Sequence, residues 1–228
     1  MKIKLFLLLL CGALSGEYYS QCGQDSYVYE TFFKGKTDGV FVDIGANDGV
    51  TYSNTLFFEN DLGWTGICIE PLPEVFVQLE RNRTCKCIEG CIGPNNTKAP
   101  FLHVQGPSEM LSGLVENYVP EHLQRIEEEI DLYGGGKEEI LVDSYNLNGL
   151  LFAEGIDHVD FLSLDTEGGE LQILQSIDFD QVQIDVITVE NNYADPEFAA
   201  FMLSRGYRLY HTLMHDQIFV HRSLIIGV

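Results

Sequence analysis

The sequence predicts an alternating α/β fold built around a mostly parallel β-sheet. Short apolar runs typical of buried strands recur along the 228 residues, and helical stretches lie between them. The chain contains no internal repeat, low-complexity tract or long proline-rich linker. Its last two strand-like runs follow one another, which predicts a closing antiparallel hairpin. We therefore expect one domain over residues 16–228.

Each element is predicted from its local pattern. Residues 40–44 are β-branched or aromatic around one aspartate, which is typical of a strand buried on both faces. Pro71 and Pro73 mark the start of a helix that carries Val75 and Leu79 at helical spacing. The predicted helices are 27–33, 53–60, 74–82 and 146–155. The predicted strands are 40–44, 66–70, 85–92, 140–142, 159–164, 186–189, 207–210 and 217–220.

A glycine-containing turn follows the first strand. Asp43 lies at the end of that strand, Gly45 and Gly49 allow a sharp turn, and Ala46 and Asn47 lie between them. Such a turn lets the backbone approach a ligand closely, so we predict that these residues bind a cofactor. The alternative is that a sheet of this type needs glycine at the turn for its geometry alone.

The turn does not fit a dinucleotide. A pyrophosphate requires the pattern G-x-G-x-x-G at a helix N-terminus, whereas here the acidic Asp48 would repel phosphate. S-adenosylmethionine has no phosphate, and its cationic ammonium and sulfonium groups suit acidic neighbours. Glu70 ends the second strand, where one carboxylate can accept hydrogen bonds from both hydroxyls of a ribose. The residues therefore favour S-adenosylmethionine and disfavour an NAD-dependent oxidoreductase.

Acidic residues also end two later strands. Asp165 follows the strand 159–164, and Glu190 follows the strand 186–189. Because the carboxyl ends of parallel strands meet at one edge of a sheet, we expect both residues to lie near Asp43 and Glu70.

The charge of the chain limits its partners. It has 35 acidic and 13 basic residues, a formal net charge of −22, and no cluster of lysine and arginine. Nucleic-acid binding depends on such clusters, so we expect no nucleic-acid partner. Most of the acidity is interpreted as serving solubility.

Residues 1–15 have the pattern of a cleavable signal peptide. Two lysines precede an apolar run of roughly ten residues, which is too short to span ~30 Å of hydrocarbon. Ala13 and Ser15 supply the small residues for cleavage before Gly16. This predicts a secretory or extracytoplasmic protein with no membrane span after cleavage. The alternative is a cytoplasmic protein whose N-terminal helix packs on the core.

The cysteines and two glycosylation sequons bear on the same question. Removal of the leader would leave five of the six cysteines, so not all of them can pair within one chain. Cys85, Cys87 and Cys91 lack the C-x-x-C spacing of a zinc site and are interpreted as core or disulfide cysteines. The sequons at Asn82 and Asn95 agree with a secretory route.

The segment 106–136 interrupts the alternation of helices and strands. It is rich in glutamate and ends in three glycines, at 134–136. A run of this kind is usually a solvated helix face. Its functional alternative is a lid or substrate-binding insertion, because long insertions in α/β folds tend to lie at the ligand edge.

Three motifs resemble the FkbM-type S-adenosylmethionine-dependent methyltransferases. They are residues 41–49 (FVDIGANDG), 63–71 (GWTGICIEP) and 160–170 (DFLSLDTEGGE), and residues 20–25 (SQCGQD) resemble the lead-in of the family. The resemblance implies a class I methyltransferase fold, a Rossmann-like three-layer sandwich with a seven-stranded, mostly parallel sheet and an antiparallel C-terminal hairpin. It also implies methyl transfer, usually to a hydroxyl of a sugar or natural product, and hence a small-molecule or glycan acceptor.

The family pattern also implies roles for individual residues. It places Asp43, Gly45 and Asn47 around the methionine part of the cofactor and Glu70 on the ribose. Cys91 would border the adenine, in the stretch that departs most from the family pattern. The cofactor-binding set is Gln24, Asp43, Gly45, Ala46, Asn47, Gly49, Glu70 and Cys91.

Methyl transfer to an alcohol requires alignment of the oxygen at roughly 3 Å from the methyl group and removal of its proton. We predict that Asp165 or Glu167 supplies the base or positions the hydroxyl, with Glu190 as a second carboxylate. These carboxylates could alternatively hold a divalent metal, although no metal is predicted. Glu170 is interpreted as a charge at the start of the next helix. His211 and His215 are interpreted as ordinary hairpin or surface residues.

A rival hypothesis is a non-catalytic, secreted interaction module on the same fold. The leader motivates it, because the cofactor is made in the cytosol. The intact Asp43, Gly45, Gly49 and Glu70 argue against it, since a module without a ligand has no use for a carboxylate placed on a ribose.

Overall fold

The computed structural model describes residues 17–225. The predicted leader, residues 1–15, lies outside the described residues. The strands are β1 (Val40–Ile44), β2 (Thr65–Glu70), β3 (Lys86–Glu89), β4 (Cys91–Ile92), β5 (Thr97–Gln105), β6 (Gly113–Leu114), β7 (Gly136–Tyr145), β8 (His158–Leu164), β9 (Gln183–Glu190), β10 (Tyr207–Leu213) and β11 (Asp216–His221). The helices are α1 (Gln24–Val28), α2 (Leu56–Leu62), α3 (Pro73–Asn82), α4 (Pro120–Tyr133), α5 (Leu147–Ala153), α6 (Glu170–Ser176), α7 (Glu197–Ser204) and α8 (Arg222–Ile225).

The main sheet has seven strands in the order β10-β11-β9-β8-β1-β2-β3. Five of these strands, β1, β2, β3, β8 and β9, run parallel to one another. Strand β11 runs antiparallel to both β9 and β10 and so closes the sheet with a hairpin. This confirms the predicted class I methyltransferase fold.

Helices cover both faces of the sheet because both faces are apolar. On one face, Val42 and Leu162 pack with residues of α5, α6 and α7, such as Leu151 and Leu174. On the other face, Phe41 and Phe161 pack with α2 and α3 in an aromatic cluster that includes Phe58 and Trp64. Full burial of one such side chain stabilises the fold by about 1.5–3 kcal/mol. The three layers therefore follow from apolar strands that need cover on both sides.

The predicted strand 85–92 is wrong as a single element. The chain pairs with β2 as far as Glu89, turns at Gly90, and continues as β4 in a different sheet. Gly90 has φ +148°, and a Cβ there would lie 2.6 Å from the carbonyl oxygen of Asp143. This close approach fixes the break between the two strands.

A second sheet, in the order β4-β7-β5-β6, was not predicted. Its centre is the long antiparallel pair of β5 and β7, so the predicted strand 140–142 is in fact ten residues long. Helix α4 lies between β6 and β7, within the segment 106–136. It buries His122 and Ile126 and exposes Glu127 and Glu128. Within residues 17–225, no helix is both long enough and apolar enough to cross a lipid bilayer.

The five cysteines of the described part of the chain are all unpaired: Cys22, Cys68, Cys85, Cys87 and Cys91. The Sγ atoms of Cys68 and Cys85 lie 3.5 Å apart within the aromatic core. Cys87 packs against the same core and Cys91 lies in the core of the second sheet, and none of the five cysteines forms a disulfide in this structure.

Candidate active site

A cavity of about 310 Å³ lies at the carboxyl edge of the parallel strands. Its walls come from the ends of β1, β2, β8 and β9 and from residues 107–112 of the inserted segment. Ten of the eleven predicted site residues line it: Gln24, Asp43, Gly45, Ala46, Asn47, Glu70, Cys91, Asp165, Glu167 and Glu190. The edge of the sheet thus brings together residues that are up to 166 positions apart in sequence.

The turn after β1 lies directly against the turn after β8. The backbone N–H groups of Gly45 and Ala46 both donate to the carbonyl oxygen of Ile69, at 3.0 Å. Gly45 has φ +85°, and a Cβ there would lie 1.7 Å from the carbonyl oxygen of Asp165. Only glycine fits this position, because the Asp165 carbonyl oxygen occupies the space that a side chain would need.

Gly49 is the predicted site residue that does not line the cavity. It has φ +81°, and a Cβ there would lie 2.7 Å from side-chain atoms of Leu79 and Arg83. Its role in the structure is to let the turn pack against α3.

Glu70 is held in place by the backbone at the floor of the cavity. One carboxylate oxygen accepts from Asn47 N at 3.1 Å, and the other accepts from Leu72 N at 2.9 Å. Burial raises the pKa of this carboxyl to about 7. Because a carboxylate offers about four lone-pair sites, both oxygens can still accept hydrogen bonds from a diol.

Asp43 connects the cavity to a buried ionic network. Its Oδ2 accepts from Thr55 Oγ1 at 2.6 Å and lies 3.9 Å from Arg83 Nη1. Burial raises the pKa of Asp43, whereas Arg83 and the hydroxyls of Thr55 and Ser163 act in the opposite direction. Arg83 is fully buried and also donates to Glu59 at 2.5 Å. Sequence reasoning missed Arg83 as a supporting residue of this site.

Asp165, Glu167 and Glu190 form a carboxylate cluster at the other side of the cavity. Each offers one oxygen, and these three atoms lie within 4.8 Å of one another. Burial raises the pKa of Glu167 to about 8, helped by Asp165. Burial likewise raises the pKa of Glu190 to about 8, helped by Glu167, and that of Asp165 well above its ordinary value. The cluster can therefore hold or accept a proton near neutral pH, or attract a cation.

The turn that carries Glu167 is itself fixed by Glu170. The Glu170 carboxylate accepts from the backbone N–H groups of Thr166 and Gly168, at 3.1 and 2.8 Å. Glu167 has φ +55°, a left-handed conformation that is uncommon for a glutamate. Glu170 therefore holds this turn in place, and Glu167 lines the cavity.

Two segments supply contacts that complete the cavity wall. From α4, Arg125 lies 3.5 Å from Glu167 and donates to Glu129 at 3.0 Å, and sequence reasoning did not find it. From α1, the predicted Gln24 donates to Asp216 at 2.7 Å and accepts from Cys22 N at 2.9 Å. Arg125 is the single basic side chain that the structure, within residues 17–225, places on the cavity wall.

A second group of possible metal ligands lies at the opposite end of β8. His158 is 3.0 Å from Asp185, and the nearby Asp160 pairs with Lys36 and accepts from Val40 N. Lys36 neutralises Asp160, and the contacts of Asp160 and His158 connect the first residues of β1, β8 and β9. Of these two acidic groups, the one that borders the cavity is Asp165, Glu167 and Glu190.

Comparison with solved structures finds several methyltransferases. The chain is similar to the methyltransferase FkbM from Methylobacillus flagellatus, with 14% identity, a TM-score of 0.48, and coverage of 81% of this chain and 44% of that chain. It is similar to the METTL16 methyltransferase domain, with 12% identity and a TM-score of 0.44, and the match covers 86% of this chain and 64% of that chain. It is also similar to the precorrin-6y C5,15-methyltransferase from Geobacter metallireducens, with 14% identity and a TM-score of 0.40, and the match covers 86% of this chain and 85% of that chain. The chain thus spans less than two thirds of the first two of these structures.

The sequence matches no curated protein. The family model described as the methyltransferase FkbM domain matches residues 43–209. This range begins at Asp43 and contains the turn after β1, Glu70, the inserted segment and the carboxylate cluster. The chain therefore belongs to the methyltransferase FkbM domain family.

Proposed function

We propose that the protein is an S-adenosylmethionine-dependent methyltransferase that methylates a hydroxyl group of a sugar, glycan or small natural product. The observation that carries this proposal is Glu70. Its buried carboxylate ends β2, is oriented by Asn47 N and Leu72 N, and retains lone pairs for the two hydroxyls of a ribose.

The cavity residues fit this cofactor in two further respects. Gly45 lets the turn after β1 pack directly on the Asp165 carbonyl oxygen, so that the turns after β1 and β8 line the cavity side by side. The donor set is acidic, which suits a ligand with sulfonium and ammonium charges. It does not suit a pyrophosphate, because Arg125 is already paired with Glu129 and Glu167.

When bound, the cofactor supplies a methyl group on a sulfonium, which leaves as a neutral thioether. The protein has two tasks in this reaction. One is to hold the acceptor oxygen in line with the methyl carbon, at roughly 3 Å. The other is to take the hydroxyl proton as the new bond forms. We propose that Glu167 or Glu190, whose side chains line the cavity and whose pKa values are raised to about 8, accepts that proton in its deprotonated form.

The charge of the cavity supports a neutral or cationic acceptor. Glu109, Glu129 and the carboxylate cluster all line the cavity, and Arg125 is already paired. An acceptor with a carboxylate or phosphate would meet net repulsion there. Transfer of labelled methyl to a neutral sugar should therefore exceed transfer to the matching uronic acid, and the reverse preference would contradict this part of the proposal.

We also propose that the segment 106–136 selects the acceptor. Residues 107–112 and Arg125 of this segment line the cavity. The segment also packs on the turn that carries Glu167, because the Asn117 side chain lies where a Cβ on Gly169 would be. An acceptor would therefore contact this segment on entering the cavity.

A secretory location is a further proposal, and it rests on the leader pattern. Asn95 lies exposed in the turn between β4 and β5. Asn82 donates to the carbonyl oxygen of Asp48, and the middle residue of its sequon, Arg83, is buried. In a eukaryotic secretory host, we expect Asn95→Gln to remove a glycosidase-sensitive mass and Asn82→Gln to leave it. An unglycosylated wild-type protein that remains in the cytosol would contradict the proposal.

The test of the cofactor is calorimetry with S-adenosylmethionine on protein that begins at residue 17. We expect Glu70→Gln to weaken binding by about 30-fold, from the loss of hydrogen bonds to a charged group. The matched control is Glu89→Gln, because Glu89 pairs with Glu70 in register at the end of β3 but is exposed and outside the cavity. Folded wild-type protein that binds no cofactor would refute the enzyme and favour a non-catalytic module. Equal effects of the two variants would refute the ribose assignment.

A further inference from the structure

Asn54 has a buried polar atom that the rest of the protein does not satisfy. The residue is 7% exposed and lines the cavity just before α2. Its Nδ2 donates to Ser163 Oγ at 3.0 Å, whereas its Oδ1 has no hydrogen-bond partner among residues 17–225. Buried amide oxygens are nearly always paired, so this one calls for a donor from outside the chain.

The sheet order shows which part of the cofactor lies nearest to this atom. Strands β2 and β8 flank β1 on opposite sides. A ribose bound by Glu70 occupies the β2 side, so the amino-acid part of the same cofactor extends toward β8. Ser163, the partner of Asn54, lies on β8 two residues before Asp165. Asn54 is therefore on the amino-acid side of the cavity.

We propose that Asn54 binds the α-ammonium group of the cofactor through its Oδ1. This inference rests on the proposed function. An ammonium has three N–H donors, whereas a sulfonium has none and a carboxylate would repel an amide oxygen. Ser163 fixes the amide from one side, and its hydroxyl also acts on the Asp43 carboxylate. Asn54, Ser163 and Asp43 thus form one connected set at the methionine end of the cavity.

The test compares two neutral thioethers that differ in one part. S-adenosylhomocysteine carries the amino-acid chain, and 5′-methylthioadenosine has a methyl group in its place. We expect Asn54→Leu to weaken S-adenosylhomocysteine binding by about tenfold to hundredfold, the range for a hydrogen bond to a charged group. Binding of 5′-methylthioadenosine should change less than about twofold. That retained binding also shows that the variant has folded.

Ser163→Ala provides a second variant, because it removes the anchor of the amide and leaves Oδ1 in place. It should weaken S-adenosylhomocysteine binding less than Asn54→Leu does and spare 5′-methylthioadenosine. Equal losses for both ligands in Asn54→Leu would show a merely structural role and overturn the inference. Unchanged binding of both ligands would overturn it as well. Wild-type protein that binds neither ligand would instead refute the proposed function on which the inference rests.

Discussion

Replacement of Arg83 by methionine should destabilise the protein, including the end of β1 at Asp43. Arg83 is fully buried, donates to Glu59 at 2.5 Å and to Thr55 at 3.0 Å, and lies 3.9 Å from Asp43. Methionine would occupy similar space but would leave Glu59 and Asp43 without their cation. Removal of one partner from a buried ion pair costs about 3–5 kcal/mol. The melting temperature should accordingly fall by about 6–20 °C.

Urea denaturation followed by tryptophan fluorescence would measure this loss, since Trp64 lies in the same aromatic core. Arg81→Met is the matched control, because Arg81 is exposed on the same helix, and its effect should stay within about 0.5 kcal/mol. A double variant with Glu59→Gln should lose less than the sum of the two single changes. A loss below about 1 kcal/mol for Arg83→Met, or strict additivity, would refute the assignment of a coupled buried pair.

Three other predictions follow from the cavity. Gly45→Ala should abolish cofactor binding in calorimetry, because its Cβ would lie 1.7 Å from the Asp165 carbonyl oxygen. The unliganded protein should lose stability as pH rises from about 5 to 9. In the folded protein the pKa values of Glu70, Glu167 and Glu190 are raised to about 7, 8 and 8. A carboxyl group with a raised pKa stabilises the folded state only while it is protonated, so this stability is lost on deprotonation. A melting temperature that rises over this range would contradict that reasoning. Arg125→Gln should raise the acceptor KM and move the acidic limb of the pH profile to higher pH, because Arg125 lowers the pKa of Glu167, which must be deprotonated to accept the proton. An unchanged profile would exclude Arg125 from the acceptor site.

The parts of the fold that the sequence predicts well are those set by local pattern. Strands β1, β2, β8 and β9 are apolar runs buried on both faces, and such runs have few alternatives to the centre of a parallel sheet. Their acidic ends then follow from one rule, that parallel strands share a carboxyl edge. That is why the sequence alone predicts that Asp43, Glu70, Asp165 and Glu190 lie close together, as they do around the cavity.

The second sheet depends on pairing that local pattern does not encode. Strand β5 carries Pro100, a residue that usually argues against an interior strand, and β7 has only two buried residues among ten. Each strand is defined by its partner, since Thr97 pairs with Ser144 and Gln105 pairs with Gly136. Without that long-range register, the sequence indicates only the residues 140–142 of β7, and it gives no signal for β5 or for the break at Gly90.

The residues that sequence reasoning missed at the site share one property, which is that other elements determine their role. Arg83 ends α3, where a basic residue ordinarily interacts with the last carbonyls of a helix in solvent, yet here it is buried against Glu59 and Asp43. Arg125 belongs to a glutamate-rich helix and reaches the cavity only because the insertion packs on the turn that carries Glu167. The strand ends therefore define where the cavity lies. The side chains that modify the charge of its wall come from elements whose positions depend on tertiary packing.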